Sequence, residues 1–470
     1  MAVVVLGAGI TGMATAYKLA DSGVNTTIIE KEPRIGGLAG SIIKSGGIFD
    51  FGAHAFVLDE KMKKDFYQII PERELNIFQK DVKIKFGKKY YQYPLDGINI
   101  LLNSNPAVTV LCFCDYMIAK LKLIFNTAFD DSAEAWIINR FGKTLYKIYF
   151  EKYTEKVWGL HPRLISPSFI AEGIPLLNLR ETIKNTVNEA ATLILNRPKP
   201  AKPSYDTQLY YPKRGLLFFF EQLANKVSSN KGTIFLNSQI TNVHLDGCAV
   251  KAISIKTDGR IETIGTDYVV STIPLNELIK LITPEPDNGI LKTAILLKFR
   301  ALIFVNLIIK KTEVFDTQWI YFRNSIFNRV AEVNKFSKEL FAEGLTGLCA
   351  EITCEKDDEI WNSDENKLVN RVVKELEQEG FIKRSDVKDA CIVRKEHGYP
   401  VADLNYKESQ KILFNYIGGI ENLFVTGRQG LFSYLQMDQC LKMGFTVAKH
   451  ILSGKSKNNY STYPKEYYFV

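Results

Sequence analysis

The fold is decided by residues 2–37, AVVVLGAGITGMATAYKLADSGVNTTIIEKEPRIGG. An apolar, β-branched run leads into Gly7, Gly9 and Gly12, which have the spacing G-x-G-x-x-G and precede a helical pattern. In such a unit the first glycine permits a tight turn, the second lets backbone N–H groups approach a pyrophosphate, and the third lets the helix lie close to the sheet. The stretch therefore predicts a strand, a turn and a helix whose N-terminus binds dinucleotide phosphates.

An acidic residue ends the second predicted strand. Glu30 follows the run TTII and stands 18 residues after Gly12. At this position a carboxylate accepts hydrogen bonds from a ribose hydroxyl and repels a 2′-phosphate. We therefore expect a dinucleotide without that phosphate.

The residues after Glu30 indicate which dinucleotide is bound. The pattern Glu30-x-x-x-Arg34-x-Gly36-Gly37 resembles the second FAD signature of the flavoprotein superfamily that holds amine oxidases, protoporphyrinogen oxidase and UDP-galactopyranose mutase. The resemblance implies that these residues support the FAD phosphates and the mouth of the flavin site. The alternative, a plain turn beside a solvated arginine, does not account for the joint spacing.

Composition narrows the function class. The chain has 470 residues, of which 46% are hydrophobic and 24% charged, and a net charge of +8. That length predicts two intertwined domains. Because the positive charge is mild and no Lys/Arg block occurs, no nucleic-acid partner is expected.

Cysteine usage and the N-terminus bear on location. Seven cysteines without a C-x-x-C pair indicate neither a disulfide framework nor a zinc site, so no metal is expected and a reducing cytoplasm is the natural location. The first strand begins at Ala2, which leaves no room for a cleaved leader. No apolar run of 18 residues occurs, so no transmembrane helix is expected.

The expected fold class is α/β: an FAD-binding Rossmann-type domain of the GR2-like kind, with an inserted substrate domain of mixed helices and sheet. Short apolar strands near residues 233–236, 269–274 and 422–427 are expected to join the N-terminal strands in one sheet. The predicted boundaries are 1–60, 205–285 and 390–452 for the FAD domain, 61–204 and 286–389 for the substrate domain, and 453–470 for a tail. Residues 61–200 are expected to be mostly helical, with a basic, proline-rich loop at 196–203.

An apolar stretch at residues 99–126 has two interpretations. As a basic amphipathic segment it would lie in a membrane interface. As two helices it would close the active site over buried faces. We favour the second, because Pro106 interrupts the run and the basic residues are few. Peripheral membrane contact is therefore the less favoured alternative.

A second flavin motif lies near the C-terminus. The stretch 427–438, GRQGLFSYLQMD, indicates a glycine-rich loop and a helix start, which can stabilise negative charge on a reduced flavin. It resembles the C-terminal flavin motif of UDP-galactopyranose mutases and their protoporphyrinogen-oxidase-like relatives. The matching residues are Gly427, Arg428, Tyr434, Met437 and Asp438. The resemblance implies that Gly427, Met437 and Asp438 hold the cofactor, Arg428 lies near the flavin or an anionic substrate, and Tyr434 lies near substrate phosphates. A structural ion pair for Arg428 and an N-cap role for Asp438 are the alternatives.

Further residues are candidates for substrate contact. The stretch 153–159, YTEKVWG, resembles a pocket-lining motif of the mutase-like branch, in which Tyr153 and Trp158 would offer stacking faces. Arg214 and Arg329 are candidates for phosphate binding through their guanidinium forks. Core packing or surface charge is the alternative for each of them.

One departure from the mutase pattern concerns a histidine. The segment 49–54, FDFGAH, resembles the family segment beside the flavin face, which makes His54 a candidate for contact with flavin or substrate. In mutases a second histidine follows three residues later, whereas this chain has Val57. Without that second histidine the electrostatics around the flavin would differ from those of the mutases. The expected catalytic residues are Arg428, His54 and Tyr434.

These resemblances imply a flavoenzyme with non-covalent FAD, because no cysteine stands beside the final glycine-rich loop as a tether. The favoured substrate is a small molecule, a nucleotide-linked sugar handled as in the mutase. One alternative is oxidation or desaturation of a large apolar substrate. A non-catalytic FAD-binding assembly protein is the other. No second G-x-G-x-x-G predicts an NAD(P) domain, so any NAD(P)H reductant would visit the substrate cleft.

Overall fold

The computed structural model describes residues 1–87, 89–93, 106–125, 129–171 and 208–457. The α-helices of seven or more residues in these ranges are Ile10–Asp21, Glu60–Tyr67, Pro106–Ile124, Ala133–Phe141, Glu151–Trp158, Gly215–Ser229, Leu275–Leu281, Asn288–Leu296, Glu365–Gln378, Tyr406–Gly418 and Met437–Leu452. They flank two larger sheets, and the candidate site described below contains residues from both.

A parallel five-stranded sheet, the nucleotide sheet, forms the first layer. Its strands are, in spatial order, Leu423–Val425, Tyr268–Ser271, Ala2–Leu6, Asn25–Ile29 and Gly232–Phe235. The central strand is apolar and almost entirely buried, as expected for a parallel strand covered on both faces. The prediction that three distant segments build one sheet is confirmed.

The first and last long helices pack closely over this sheet. A Cβ atom at Gly444 would lie 2.5 Å from the carbonyl oxygen of Thr11, so only glycine fits there. The Thr11 hydroxyl donates to the carbonyl of Cys440 at 3.0 Å. This contact places the start of the C-terminal helix beside the N-terminal glycine loop.

A seven-stranded sheet, the large sheet, forms the second layer. Its strands are, in order, Val387–Pro400, Phe299–Ile309, Thr346–Cys354, Arg329–Glu332, Trp319–Phe322, Val82–Phe86 and Lys89–Gln92. Successive residues of a strand point to opposite faces. Accordingly Ile303 and Val305 pack in the same core as helix Glu365–Gln378, while Leu302 and Phe304 pack with Phe51 toward the nucleotide domain.

The remaining strands form smaller units. A four-stranded sheet has the order Arg260–Gly265, Ala249–Thr257, Ser238–Asp246 and Ile282–Thr283. Two antiparallel pairs join Ser41–Lys44 to Gly47–Asp50 and Leu75–Gln79 to Gln208–Pro212.

Two expectations about the substrate region need correction. The boundary at residue 390 falls inside strand Val387–Pro400, which belongs to the large sheet along its length. The region 61–200 is less helical than expected, because Val82–Phe86 and Lys89–Gln92 are the last two strands at one side of the same sheet. Apolar residues alternate with lysines in the first of these, VKIKF, which favours a half-buried strand. The loop at 196–203 lies outside the described residues.

The helix Pro106–Ile124 also differs from expectation. Its apolar side chains are largely exposed, including Leu111, Phe113, Ile118 and Ile124. Within residues 106–125 the stretch forms one helix rather than two, and its buried side is narrow, with Cys112 and Ala119 buried. None of the described helices is long and apolar enough to cross a bilayer.

Candidate active site

The N-terminal glycines form a cradle at the edge of the nucleotide sheet. The Gly7 N–H donates to the carbonyl of Ile29 at 2.8 Å, and Gly7 has a φ of 97°. A Cβ atom on Gly12 would lie 1.9 Å from the Gly7 oxygen. The Gly36 N–H donates to the carbonyl of Ala8 at 2.8 Å. The two predicted FAD signatures are therefore joined by direct backbone contact.

Gly9 lies at the open side of this cradle. Its φ is −72°, and a Cβ atom there would meet no atom of the protein within 4 Å. A Cβ atom on Gly37 would lie 3.2 Å from the Gly9 Cα, so the second turn closes over the first. The empty volume above Gly9, at a helix N-terminus, has the geometry and polarity that a pyrophosphate requires.

The Glu30 carboxylate is fixed at the end of its strand. One oxygen accepts a hydrogen bond from the Ala8 N–H at 2.8 Å, and the other accepts from the Glu32 N–H at 3.0 Å. Each oxygen keeps a free lone pair for a ribose hydroxyl. Arg34 is half-buried nearby, in the segment between Glu30 and Gly36. These features fit an adenine dinucleotide.

The C-terminal loop completes the cradle. Gly427 has a φ of 79°, and a Cβ atom there would lie 2.7 Å from the Thr11 hydroxyl. The helix that follows begins at buried Met437. Asp438 lies in its first turn, but the N-cap is Gln436, so the N-cap interpretation of Asp438 is wrong. Burial raises the pKa of Asp438 to about 6.

Arg428 links this loop to the large sheet. Its guanidinium donates to the carbonyl of Leu435 at 3.0 Å and to the carbonyl of Gly398 at 3.4 Å. Within the described ranges no carboxylate forms an ion pair with it, so the alternative of a structural ion pair finds no support there. The guanidinium carbon lies 4.3 Å from the centre of the Tyr434 ring. Arg428 therefore positions the tyrosine.

Three rings form one side of the cleft, which we call the aromatic wall: Trp158, Tyr399 and Tyr434. Ring centres are 5.6 Å apart for Trp158 and Tyr434, 5.4 Å for Trp158 and Tyr399, and 5.6 Å for Tyr399 and Tyr434. The rings come from a helix, a strand and a loop. Such a cluster offers flat apolar faces for a sugar or base.

The helix that carries Tyr153 and Trp158 is anchored by a lysine. Lys156 donates to the carbonyls of Phe322 at 2.9 Å and Phe327 at 2.7 Å. These carbonyls flank the turn after strand Trp319–Phe322. The anchor brings Tyr153 to 6.2 Å from Tyr321, measured between ring centres.

A buried ion pair stands beneath the cleft. Arg329 donates from Nε and Nη2 to one oxygen of Glu351, at 2.9 and 2.7 Å, and the Tyr399 hydroxyl donates to the other oxygen. A Cβ atom on Gly52 would lie 2.9 Å from that pair. Sequence reasoning missed Glu351; its only signal was a carboxylate in the otherwise apolar strand Thr346–Cys354.

His54 lies in the field of two arginines. Burial, together with Arg329 and Arg428, lowers the pKa of His54 to about 4, against an opposing effect of Glu351. The imidazole is therefore neutral at pH 7. Val57, three residues later, is exposed.

Arg214 occupies a different place from the other candidates. Its guanidinium lies 3.7 Å from the Glu74 carboxylate and 3.4 Å from the centre of the Phe218 ring. None of its described contacts is with the aromatic wall or with Arg329. The structure thus groups His54, Tyr153, Trp158, Arg329, Arg428 and Tyr434, and leaves Arg214 outside this group.

Comparisons with known proteins agree with this geometry. Residues 5–69 match the family model of an NAD(P)-binding Rossmann-like domain. Over 104 residues the chain is 34% identical to protoporphyrinogen oxidase 2, chloroplastic/mitochondrial, of Arabidopsis thaliana, a match that covers 22% of this chain and 19% of that protein. The chain thus matches about a fifth of the length of these curated relatives.

Solved structures extend the similarity over nearly the whole chain. Reduced UDP-galactopyranose mutase superposes with a TM-score of 0.79 at 19% identity, covering 96% of this chain and 94% of that one. The chain therefore shares the fold of that structure. Putrescine oxidase, with a TM-score of 0.61 at 13% identity, covers 96% of this chain and 99% of its own. The predicted α/β fold with a Rossmann-type nucleotide-binding domain is confirmed.

Proposed function

We propose that this chain is a flavoenzyme that binds FAD without a covalent bond. The observation that carries the proposal is the open space beside Gly9, next to Gly36 and Gly37, where no protein atom lies within 4 Å of a Cβ position. Gly427, Met437 and Asp438 would hold the isoalloxazine end, and Glu30 the ribose. FAD, when bound, would supply the redox or nucleophilic chemistry, while the protein binds and orients.

The substrate that the cleft fits best is a nucleotide-linked sugar. The aromatic wall offers stacking faces, and Arg428, which forms no ion pair with a described carboxylate, places positive charge beside neutral His54. Aromatic faces beside cations suit a ligand that joins flat or sugar rings to phosphates. UDP-galactopyranose mutase, whose name states its substrate, has the higher of the two TM-scores given above.

The side chains have distinct proposed roles. Tyr153 and Trp158 would stack on the ligand, and Tyr434, positioned by Arg428, would donate its hydroxyl to a phosphate. Burial raises the pKa of Tyr153 well above its ordinary value, so the hydroxyl stays protonated as a donor. His54, neutral, would accept or donate one hydrogen bond without adding charge. Arg214, exposed and beside Glu74, is no longer proposed for substrate contact.

A second candidate function is oxidation of a large apolar substrate. It is favoured by Val57, an exposed apolar side chain at the position where mutases carry a second histidine. The match to the protoporphyrinogen oxidase relative, over 104 residues, also supports this candidate. The two candidates therefore differ in the substrate that the site would accept.

Two assays separate these candidates. Purified protein with its flavin would be incubated with UDP-galactose after dithionite reduction, and the products separated by chromatography. The same protein, oxidised, would be given protoporphyrinogen under air, and oxygen uptake would be recorded. Sugar conversion supports the mutase-like function, whereas oxygen uptake supports the oxidase.

Two further proposals concern the surroundings of the enzyme. NAD(P)H is proposed as an external reductant that visits the cleft, which a test of flavin bleaching by NADH or NADPH without oxygen would decide. All seven cysteines are free thiols in the structure, which fits a reducing compartment. On that ground we propose a cytoplasmic location, which fractionation of the source cells would test.

A further inference from the structure

One lysine of the cleft has no carboxylate partner. Lys80 lies between strands Leu75–Gln79 and Val82–Phe86, and its side chain is half-buried. Its ammonium nitrogen is 5.0 Å from the centre of the Tyr93 ring and 5.8 Å from the centre of the Trp319 ring. Among the described residues, no aspartate or glutamate forms an ion pair with it.

The surroundings of Lys80 leave its charge uncompensated. Burial and the like charge of Arg329 lower the pKa of Lys80. Arg329 itself is neutralised by Glu351, whose other oxygen is taken by Tyr399. Burying a cation without an anion is costly, so an anionic ligand is the partner that would offset this cost.

The rings beside Lys80 continue toward the aromatic wall, since Tyr434 of that wall interacts electrostatically with both Tyr93 and Tyr321. Tyr93, under the lysine, lies 5.4 Å from Tyr321 between ring centres, and Tyr321 lies 6.2 Å from Tyr153. Burial raises the pKa of Tyr93 and that of Tyr321, so both hydroxyls remain protonated donors. A ligand on the aromatic wall can therefore reach a cation and two hydroxyl donors at this end.

We propose that Lys80 is a substrate-binding residue that forms a charged hydrogen bond with a phosphate oxygen of the diphosphate group. This inference rests on the proposed function and adds a specificity-determining residue to it. Lysine acts on phosphate as a point charge, and a site of low dielectric strengthens that attraction. A dicarboxylate has the same charge, so it must be distinguished by experiment.

The test measures ligand binding to the flavin-containing protein through its tryptophan fluorescence. The probes are inorganic pyrophosphate, UDP-galactose and succinate. The variants are Lys80→Met, Lys80→Arg, which keeps the charge, and Lys83→Met as the control. Lys83 pairs with exposed Asp316, which precedes the neighbouring strand Trp319–Phe322, and loss of one exposed ion pair has little effect. Flavin content and thermal melting confirm that each variant is folded.

We expect Lys80→Met to weaken pyrophosphate and UDP-galactose binding about tenfold to a hundredfold, with Lys80→Arg in between and the control unchanged. Equal affinity of wild type and Lys80→Met for pyrophosphate would overturn the proposal. Succinate bound as tightly as pyrophosphate, with the same dependence on Lys80, would overturn the assignment to diphosphate. If wild type binds pyrophosphate through Lys80 but ignores UDP-galactose, the lysine site stands and the nucleotide-sugar function fails.

Discussion

Arg329 and Glu351 form a buried ion pair in which two guanidinium nitrogens donate to one carboxylate oxygen, at 2.9 and 2.7 Å. The pair lies on neighbouring strands of the large sheet, because Arg329 is registered opposite Glu351. The carboxylate also holds Tyr399 of the aromatic wall. One carboxylate thus sets both the charge of the cleft and the orientation of one of its rings.

Glu351→Gln is therefore expected to destabilise the protein by about 3 kcal/mol, because it leaves a buried guanidinium without a counter-charge. The measurement is the free energy of unfolding in urea. Glu365→Gln, which removes an exposed partner of Arg394, is the control and should change stability by less than about 1 kcal/mol. Equal effects of the two substitutions would contradict the account of the pair.

Gly9→Val should abolish FAD retention while the protein remains folded. The φ of −72° suits valine, and no protein atom lies within 4 Å of its Cβ position, so the added side chain would enter only the space proposed for the pyrophosphate. Flavin absorbance per mole of protein and the thermal melt are measured together. The control is Gly265→Val, at an exposed strand position with equal room.

Gly12→Ala, unlike Gly9→Val, is expected to affect the fold as well as the cofactor. Its Cβ would lie 1.9 Å from the Gly7 oxygen, so this variant should lose stability as well as flavin. A Gly9→Val protein with full flavin content would contradict the assignment of FAD to this site.

Acid stability should depend on His54. Its pKa of about 4 in the folded protein lies below the ordinary 6.5, so the unfolded chain binds the proton more tightly. Stability must therefore rise with pH between about 4 and 6.5 and fall on acidification through that window. Relative to His54→Gln, wild type should lose about 1–3 kcal/mol more between pH 6.5 and 4. Parallel curves for the two proteins would show that burial and the charges of Arg329 and Arg428 do not lower the pKa of His54.

Arg428→Ala should retain FAD but lose substrate affinity. The substitution removes the donors to Leu435 and Gly398 and the cation over Tyr434, so the tyrosine loses its fixed orientation. We expect KM to rise more than tenfold, with flavin content within a fifth of wild type. Arg371→Ala, at an exposed helix position, is the control. Unchanged kinetics would assign Arg428 a purely structural role.

Lys156→Met should weaken substrate binding, because it displaces the helix Glu151–Trp158. The ammonium holds the carbonyls of Phe322 and Phe327, and without it the segment with Tyr153 and Trp158 is released from the large sheet. Loss of about 1–3 kcal/mol in stability is expected from unsatisfied buried carbonyls. Lys152→Met, exposed on the same helix, should have no effect. A rise in KM for the control as well would argue for a general charge effect.

The cofactor side of the site was predictable from sequence because its elements are local. Gly7, Gly9, Gly12 and Glu30 lie within one strand–helix–strand unit, where spacing alone dictates geometry. The structure places them as expected and adds the contact of Gly36 with Ala8.

The substrate side was only partly predictable because it is assembled across the chain. Glu351 and Lys80 carry no motif, and their importance comes from what the fold brings near them: Arg329 in one case, Tyr93 and Trp319 in the other. Arg214 is the reverse case, since its motif-like context is accompanied by described contacts with Glu74 and Phe218 only. The domain boundary at 390 failed for a related reason: a strand of 14 residues spans it, and pairing with Phe299–Ile309 decides its sheet.

The most direct test of the central claim is titration of the dithionite-reduced, flavin-containing protein with a panel of nucleotide sugars, monitored by the flavin spectrum. The account predicts a saturable spectral change with at least one nucleotide sugar, and tighter binding to the reduced than to the oxidised protein. No response to any of them, with a flavin that is bound and still reducible, would contradict the mutase-like function and favour oxidation of an apolar substrate.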